Sequence, residues 1–138
     1  VSSLSSRYAV VVGCGRMGAH IAVRLDSSGT SVVVIDPDRR SFDRLAEGFS
    51  GFTVEGDGSQ AEVLRGAKTE RADLVIAASE DDNVNLMAGQ IAARILGVPR
   101  VLVRVGDPET ADLARALGLE VFSPTVIVAD ALLGFRRG

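Results

Sequence analysis

The sequence has 138 residues and a mass of 14.4 kDa, so we expect one domain that is long enough to bury a sizeable core. The apolar fraction is 46%, the charged fraction 24% and the net charge −3 with a pI near 5.1, which argues against a nucleic-acid-binding surface. The single cysteine, Cys14, excludes an intrachain disulfide and a thiolate metal cluster within one chain. No segment approaches the roughly 20 apolar residues that span a bilayer, so we expect no direct membrane insertion, with the cytoplasm as the default compartment.

Short apolar runs that alternate with helical patterns predict six strands and six helices. The predicted strands are Tyr8–Val12, Ser31–Ile35, Phe52–Glu55, Leu74–Ala78, Val101–Val105 and Glu120–Phe122. The predicted helices are Arg16–Ser27, Asp38–Glu47, Ser59–Arg65, Asp82–Leu96, Pro108–Leu117 and a last one from near Pro124 towards Phe135. Several strands lack polar alternation, which is typical of strands that are covered on both faces.

Capping residues mark the helix boundaries. Asp81 or Asp82 is expected to cap the fourth helix, which Gly97 ends, and Asp107 precedes Pro108 in the order of a cap and a first helical residue. Because strands alternate with helices along the chain, the sequence predicts an α/β fold: a doubly wound, mostly parallel, six-stranded Rossmann sheet with helices on both faces. We expect a flexible N-terminal segment, residues 1–6, before a single domain over residues 7–138.

The segment "GCGRMG" contains a glycine motif, G-x-G-x-x-G, formed by Gly13, Gly15 and Gly18. It follows a predicted strand and opens a predicted helix, which is the arrangement of a dinucleotide-binding loop. The first glycine permits a tight turn, the second lets a pyrophosphate approach the backbone, and the third allows close packing of helix on sheet. The positive end of the helix dipole would then face the phosphates.

Asp36 follows the second predicted strand, 18 residues beyond Gly18, near the spacing at which a carboxylate binds an adenosine ribose. Its charge repels a 2′-phosphate, so it favours NAD or an ADP- or ATP-like ligand over NADP. Arg39 and Arg40 weaken that exclusion, because an arginine just past the acid is one way to accept a 2′-phosphate. The alternative is a glycine turn followed by an acid that faces solvent. If the ribose role is correct, the exchange Asp36→Ala weakens ribose-bearing ligands and leaves the fold intact.

Three other strand ends are expected to line the same crevice. Asp57 could contact the adenine amino group or cap the next helix, and Ala78 and Ser79 would lie beside the nucleotide. Arg104 lies near the end of a strand that is otherwise suited to burial, so we expect an anion or a carboxylate as its partner. Arg16 opposes the dipole at a helix start and is better explained by a phosphate than by helix stability, the alternative being a solvated arginine.

Residues for catalysis are scarce. His20 is expected on the surface or packing edge of the first helix, and Tyr8 has no Tyr-x-x-x-Lys partner. Cys14 lies at a helix start that could lower its pKa, although a small side chain that fits the turn is the simpler interpretation. No cluster has metal-ligand spacing, and no second domain remains for a substrate. A complete dehydrogenase is therefore not expected.

Taken together in order, six segments resemble the N-terminal regulatory domain of potassium channels and transporters, known as the RCK, KTN or TrkA-N domain. They are "VVGCGRMG", "VVVID", "GFTVEGDGS", "ADLVIAASEDDNVNLMAGQIAA", "VLVRVGDPE" and "LGLEVFSP", and the resemblance covers about residues 7–130. It implies a Rossmann domain that binds NAD(H) or ATP, ADP or AMP and controls ion flux by changing shape. It also implies a homodimer or ring at the inner face of the cell membrane, with a potassium transporter or channel subunit as partner.

The resemblance also assigns roles to residues by position. Phosphates would contact the glycine loop with Arg16 and Met17, the ribose would contact Asp36, and adenine would lie between Asp57 and Ala78. The predicted cofactor-binding residues are Gly13, Cys14, Gly15, Arg16, Met17, Gly18, Asp36, Pro37, Arg39, Asp57, Gly58, Ala78, Ser79 and Arg104, with no catalytic or metal-binding residue.

There are two departures from the family pattern. Thr125 stands where some members have a glutamate that helps to bind a cation, and these 138 residues contain no counterpart of the C-terminal ligand-binding subdomain of many members. We therefore expect a nucleotide-sensing, non-catalytic subunit or domain of a potassium uptake system. The alternatives are the cofactor-binding half of an NAD-dependent oxidoreductase and a redox-sensing repressor, for which no helix-turn-helix region is left over.

Overall fold

The computed structural model describes residues 7–134. The strands are β1 Tyr8–Val12, β2 Ser31–Asp36, β3 Phe52–Glu55, β4 Leu74–Ala77, β5 Val101–Arg104 and β6 Glu120–Phe122. The α-helices are α1 Arg16–Ser27, α2 Ala61–Gly66, α3 Asp82–Gln90, α4 Pro108–Ala116 and α5 Pro124–Leu133. The predicted flexible segment 1–6 and the predicted helix end at Phe135 lie outside the described residues.

The six strands form one parallel sheet in the order β3-β2-β1-β4-β5-β6. This is the strand order of the Rossmann fold, so the predicted fold class is confirmed. In β1, Val10 lies between Val33 of β2 and Val75 of β4. The order reverses between β1 and β4, and a crevice at the carboxyl ends of these strands is where ligands bind in such sheets.

Helices cover both faces of the sheet, and alternate residues of each central strand enter separate cores. On one face Val11 and Val34 pack with Ala22 of α1, together with residues of the β2–β3 connection such as Phe42. On the other face α2, α3 and α4 pack against the opposite side chains of the same strands. Burial on both faces explains why these strands lack polar alternation.

The connection between β2 and β3 contains a shorter helix than predicted. In place of a helix over 38–47 there is a 3₁₀ helix, Arg39–Arg44. Asp38 caps it by accepting a hydrogen bond from the N–H of Arg40, and Leu45 N–H donates to Phe42 O, an i to i−3 bond. The tight turns let apolar side chains of this segment reach the sheet face beside α1.

The helix predicted over Asp82–Leu96 is regular only as far as Gln90. It continues as a π-helical segment, Ile91–Ile95, in which Leu96 N–H donates to Ile91 O at 2.9 Å. A second short 3₁₀ helix, Thr69–Arg71, was not predicted. The other predicted boundaries within the described residues agree with the observed ones or differ from them by one or two residues.

The last helix, α5, packs poorly against the rest of the chain. None of its residues is buried, although Ser123 caps it and its composition is strongly apolar. Ile127, Val128, Leu132 and Leu133 are all more than half exposed. Within residues 7–134, no helix combines the length and the apolar character that crossing a membrane requires.

Candidate functional site

A crevice of about 350 Å³ lies where the glycine loop meets the ends of β2, β3 and β4. Six of the predicted site residues line it: Gly13, Asp36, Pro37, Asp57, Gly58 and Ser79. Five further lining residues were not predicted as site residues: Val12, Ile35, Glu80, Asp81 and Val84. The described lining therefore contains four carboxylates and no cationic side chain.

A different physical reason explains why glycine occupies each of the three positions of the loop. Gly13 has a φ of +100°, and a Cβ there would lie 2.7 Å from the backbone of Ser79. A Cβ on Gly18 would lie 1.9 Å from the carbonyl oxygen of Gly13, so the start of α1 packs directly on the loop. Gly15 has an ordinary φ of −75°, and a Cβ there would meet nothing within 4 Å. The fold needs the first and third glycines, whereas the second leaves open space above the loop.

Cys14 is a structural residue of the loop. Its side chain is buried, and Sγ donates to the carbonyl oxygen of Ser41 at 3.4 Å. Burial, together with the charge of Asp36, raises the pKa of the thiol to about 11 although Arg44 opposes the shift. The expected lowering of the Cys14 pKa is therefore wrong, because the favourable field at the start of α1 does not offset the loss of solvation on burial.

Asp36 is held by two backbone amides. Cys14 N–H donates to Oδ2 and Asp38 N–H donates to Oδ1, both at 2.8 Å. A carboxylate offers about four acceptor positions, so each oxygen keeps capacity for another hydrogen bond. Because Asp36 lines the crevice and its backbone is fixed as the last residue of β2, it presents a positioned acceptor pair for hydroxyl groups.

The other carboxylates around the crevice shape the loops. Asp57 Oδ1 accepts from both the N–H and the Oγ of Ser59, and these bonds lower the pKa of Asp57. Asp81 caps α3, which is one of the two alternatives that the sequence predicted. Asp82 instead accepts from the N–H groups of Gly106 and Asp107, at 3.0 and 2.9 Å, and so fastens the β5–α4 loop to α3.

Asn85 organises the edge of the crevice and was missed from the sequence. It is fully buried in α3, and its Oδ1 accepts from the N–H and the Oγ of Ser79 at 2.9 and 2.8 Å. Its Nδ2 donates to the carbonyl oxygens of Ser79 and Arg104. A signal was present, because Asn85 shares a helical stripe with the apolar residues Ala88 and Ala92, and a polar residue on a buried stripe needs partners.

Arg104 contacts a carbonyl oxygen and not a carboxylate, which was one of the two partners expected for it. Among the described residues its side chain donates to a carbonyl oxygen, that of Ala78, at 3.3 Å, and it has no carboxylate within ion-pair distance. Its side chain is half-buried at the end of β5, so water can solvate part of the guanidinium and a buried ion pair is unnecessary. Arg104 and Ala78 therefore lie together beside the crevice without lining it.

Arg16 does not line the crevice. It is exposed and lines a second cavity, of about 500 Å³, together with His20 and Arg44. Met17 is half-buried in α1, and Arg39 is exposed at the start of the 3₁₀ helix. The structure thus divides the predicted site residues between the crevice, the packing beneath it and the outer side of α1.

A larger cavity, of about 640 Å³, lies away from the glycine loop, between β3 and the end of α2, and includes Tyr8 and Phe52. It lacks the converging amides and acceptors of the crevice, so we place the candidate site at the glycine loop. Across residues 7–134 no group of three or more histidine, cysteine or acidic side chains is arranged to hold a metal ion.

Comparison with known sequences identifies the family of the chain. Residues 9–124, which include the glycine loop, Asp36 and Arg104, match the TrkA-N domain. The chain belongs to the TrkA-N family. This TrkA-N chain is similar to the Trk system potassium uptake protein TrkA of Streptomyces coelicolor, at 38% identity over 124 residues, which are 90% of this chain and 56% of that protein. It is also 30% identical, over 130 residues, to a Trk system potassium uptake protein TrkA homolog of Pyrococcus abyssi, covering 89% of this chain and 57% of that one. The TrkA-N chain thus spans just over half the length of these relatives.

Solved structures share the fold. The TrkA-N domain of the inner membrane protein ybaL from Escherichia coli superposes with a TM-score of 0.82 at 22% identity, covering 94% of this chain and 96% of that one. GsuK bound to ADP has a TM-score of 0.74 at 26% identity, covering 91% of this chain and 32% of that one. The GsuK channel bound to NAD has a TM-score of 0.76 at 23% identity, covering 96% of this chain and 23% of that one.

Proposed function

We propose that this TrkA-N domain binds an adenine nucleotide, NAD(H) or ATP, ADP or AMP, in the crevice and acts as a non-catalytic regulatory part of a potassium transport system. The observation that carries the proposal is the open space above Gly15, next to the Asp36 carboxylate. Neither packing nor backbone conformation in the chain requires a glycine there, whereas a diphosphate that lies against the loop does. The ADP- and NAD-bound structures of GsuK, which share this fold, support the same ligand class.

The charges of the crevice indicate which part of the site would bind the adenosine of a nucleotide and which part would bind its phosphates. The four carboxylates of the lining suit the uncharged adenosine, whose amino and hydroxyl groups donate hydrogen bonds, and they repel phosphate. The phosphates would instead meet the amides of the glycine loop and the positive end of the α1 dipole. The charge of Asp36 at the ribose disfavours a 2′-phosphate, which makes NADP the weakest of these ligands.

The positions of the histidine, the tyrosine and the cysteine side chains support a non-catalytic role, because none of the three faces the crevice. His20 lines the cavity outside the crevice, Tyr8 lies at the opposite end of β1, and the Cys14 thiol is buried with a raised pKa. Nucleotide binding would act by favouring one arrangement of an assembly over another.

The exposed apolar side chains of α5 support the assembly part of the proposal. Leu132 and Leu133 are 80% and 67% exposed in the single chain, and a helix of this composition is stable when its apolar surface is covered. We propose that a second copy covers α5 in a homodimer or ring, and that the assembly acts on a membrane-embedded potassium transporter or channel subunit. Analytical ultracentrifugation of the chain tests the first step, because a strictly monomeric protein would contradict it.

Calorimetric titration of the nucleotide-free protein tests the ligand directly. We expect saturable binding of at least one of AMP, ADP, ATP, NAD and NADH, and weaker binding of NADPH than of NADH. If none of these ligands binds, the nucleotide-sensing function is wrong.

The variant Asp36→Ala tests the ribose contact. It removes the acceptor pair, so the affinity for every ribose-bearing ligand is expected to fall by roughly tenfold or more, tenfold being about the worth of one hydrogen bond to a charged group. It also takes an acceptor from Cys14 N–H, so some loss of stability accompanies it. Asp26→Ala is a matched control, since Asp26 likewise accepts two hydrogen bonds, from the N–H and the hydroxyl of Ser50, but lies outside the crevice. Equal affinities of the two variants would refute the role of Asp36.

A further inference from the structure

The larger cavity, of about 640 Å³, lies at the opposite end of the sheet from the crevice. It borders Tyr8 and Phe52, the first residues of β1 and β3, whereas the crevice borders Val12 and Asp36, the last residues of β1 and β2. The two share no lining residue. A ligand of the larger cavity therefore needs a recognition chemistry of its own, and its binding stands or falls separately from nucleotide binding.

The floor of this cavity is apolar and comes from three adjacent strands. In the β2–β3 register, Phe52 lies opposite Val33 and Val54 lies opposite Ile35, so Phe52 and Val54 point to the sheet face on which α2 packs. β3 is an edge strand, and the ring of Phe52 is 75% exposed. Together with Tyr8, these side chains form a surface that an apolar group can cover.

Tyr8 is held in place at both ends. Its Oη donates to the carbonyl oxygen of Ala67, and its N–H donates to Oδ1 of Asp73 at 3.4 Å. Burial and, to a smaller extent, the charge of Glu70 raise the pKa of Tyr8 although Arg71 opposes the shift, so the phenol remains a neutral donor. A ring positioned in this way loses little conformational entropy when a ligand packs against it.

Gly66 leaves the space above this floor open. It is the last residue of α2 and has no positive φ, and a Cβ there would meet nothing within 4 Å. Alanine is more favourable than glycine in a helix, so neither the backbone nor the packing of the chain accounts for this residue. The space that a side chain would occupy is available to a ligand.

Lys68 stands at the rim of the cavity in an unfavourable backbone conformation. It is the only lysine of the chain, and among residues 7–134 it is the one residue other than glycine with a positive φ, of 59°. Its N–H donates to the carbonyl oxygen of Arg65 and its own carbonyl oxygen accepts from the N–H of Arg71, both at 2.9 Å, which fixes the turn. Because glycine or asparagine adopts this conformation more readily, the ammonium group is the feature that explains a lysine there.

The positive charge of the rim is not matched within the described part of the chain. Lys68 and Arg71 both line the cavity, and neither takes part in any of the ion pairs there. Glu70 lies between them in the sequence but does not line the cavity, and the described lining contains no carboxylate. An apolar floor beneath two unmatched cations is complementary to an anion that carries an apolar body.

We propose that this cavity binds a small aromatic carboxylate. Its ring lies against Phe52 and Tyr8, whose rings favour offset or edge-to-face contact with another aromatic group. Its carboxylate accepts hydrogen bonds from the guanidinium fork of Arg71 and from the ammonium group of Lys68. The volume lies within the range of roughly 300–1,000 Å³ that is usual for small-molecule sites.

The chain has one tyrosine, which provides a specific probe of this cavity. We would follow the ring resonances of Tyr8 by NMR while 2-naphthoate is added to the full chain at constant ionic strength. Acetate carries the same charge without an apolar body, and 2-naphthylmethylamine carries the same rings with the opposite charge. A saturable shift with 2-naphthoate is expected, with none for acetate and at least tenfold weaker binding of the amine. No saturable shift with 2-naphthoate, or equal binding of the amine, would overturn the proposal.

Substitutions at the rim separate a specific site from general electrostatic attraction. The double variant Lys68→Gln, Arg71→Gln is expected to weaken 2-naphthoate binding by roughly tenfold, since each exposed ion pair contributes a few-fold. The double variant Arg24→Gln, Arg65→Gln is the matched control, because it removes the same charge from two exposed arginines that do not line the cavity. Its affinity is expected to stay near that of the parent protein, because salt screens distant exposed charges. Equal weakening by the two double variants would contradict the assignment.

A substitution in the floor distinguishes a small ligand from a second copy of the chain. Phe52→Ala is expected to weaken 2-naphthoate binding by roughly tenfold through lost apolar contact, and to leave the fold intact because the ring is mostly exposed. Leu132→Ala, which removes an equally exposed apolar side chain from α5, is expected to leave this binding unchanged. Analytical ultracentrifugation of Phe52→Ala is expected to show the association state of the parent protein. Dissociation by this variant would assign the cavity to an interface between copies and would overturn the proposal.

Discussion

The hydrogen bonds of Asn85 allow a quantitative test of how the crevice is held together. The substitution Asn85→Ala removes an amide that is fully buried between α3 and the ends of β4 and β5. Three backbone groups lose a partner: the N–H of Ser79, the carbonyl oxygen of Ser79 and the carbonyl oxygen of Arg104. The Ser79 hydroxyl keeps an alternative acceptor in the carbonyl oxygen of Asp81.

The expected loss follows from these contacts. At about 1 kcal/mol for each of the three backbone groups, the free energy of unfolding falls by about 3 kcal/mol. That is a large part of the roughly 5–15 kcal/mol that stabilises a typical domain, and it lowers the melting temperature by roughly 10 °C. Urea unfolding followed by circular dichroism measures the change, since the chain has no tryptophan and a single tyrosine.

Two further variants make the result specific to the hydrogen bonds. Asn83→Ala removes the same side chain from an exposed position of α3 and is expected to change stability by no more than about 0.5 kcal/mol. Asn85→Asp keeps the acceptor for Ser79 but places a carboxylate oxygen against two carbonyl oxygens. Its buried carboxyl has a raised pKa, so its stability rises as the pH falls and the acid becomes protonated. If Asn85→Ala lies within about 1 kcal/mol of the parent protein, the reasoning from buried hydrogen bonds is refuted.

Two other predictions concern the glycine loop. Gly18→Ala is expected to lower the free energy of unfolding by about 1–3 kcal/mol, because its Cβ would lie 1.9 Å from a backbone oxygen, whereas Gly15→Ala leaves stability nearly unchanged and weakens nucleotide binding. Urea unfolding and calorimetry of both variants check this, and a destabilised Gly15→Ala would show that the open space has a structural role. For Cys14, the folded pKa of about 11 exceeds the ordinary thiol value of 9.0, so the unfolded thiol ionises first as the pH rises. The stability of the parent protein should therefore fall between about pH 9 and pH 11 by up to about 3 kcal/mol relative to Cys14→Ala, and parallel pH profiles of the two proteins would contradict the shift.

Much of the fold could be predicted because its signals are local. Apolar runs such as Tyr8–Val12 indicate strands that are buried on both faces. Asp107 before Pro108 indicates the start of a helix, and the residues that form this cap lie within four positions of one another, from Asp107 to Thr110. The π-helical segment Ile91–Ile95 and the short 3₁₀ helix Arg39–Arg44 were not predicted. Periodicity over a few residues does not distinguish i to i−3, i−4 and i−5 hydrogen bonds, and packing against the sheet selects among them.

Some features of the candidate site could likewise be predicted from local sequence, and others could not. The sequence by itself determined the glycine loop and the acid at the end of β2, because a strand, a turn, a helix and a strand are consecutive in the chain. Only the tertiary structure placed Asn85 between two strand ends, turned Arg16 away from the crevice and brought Arg44 against the carbonyl oxygen of Cys14. These contacts join residues far apart in sequence, and their geometry is the outcome of packing the whole domain rather than of any local pattern.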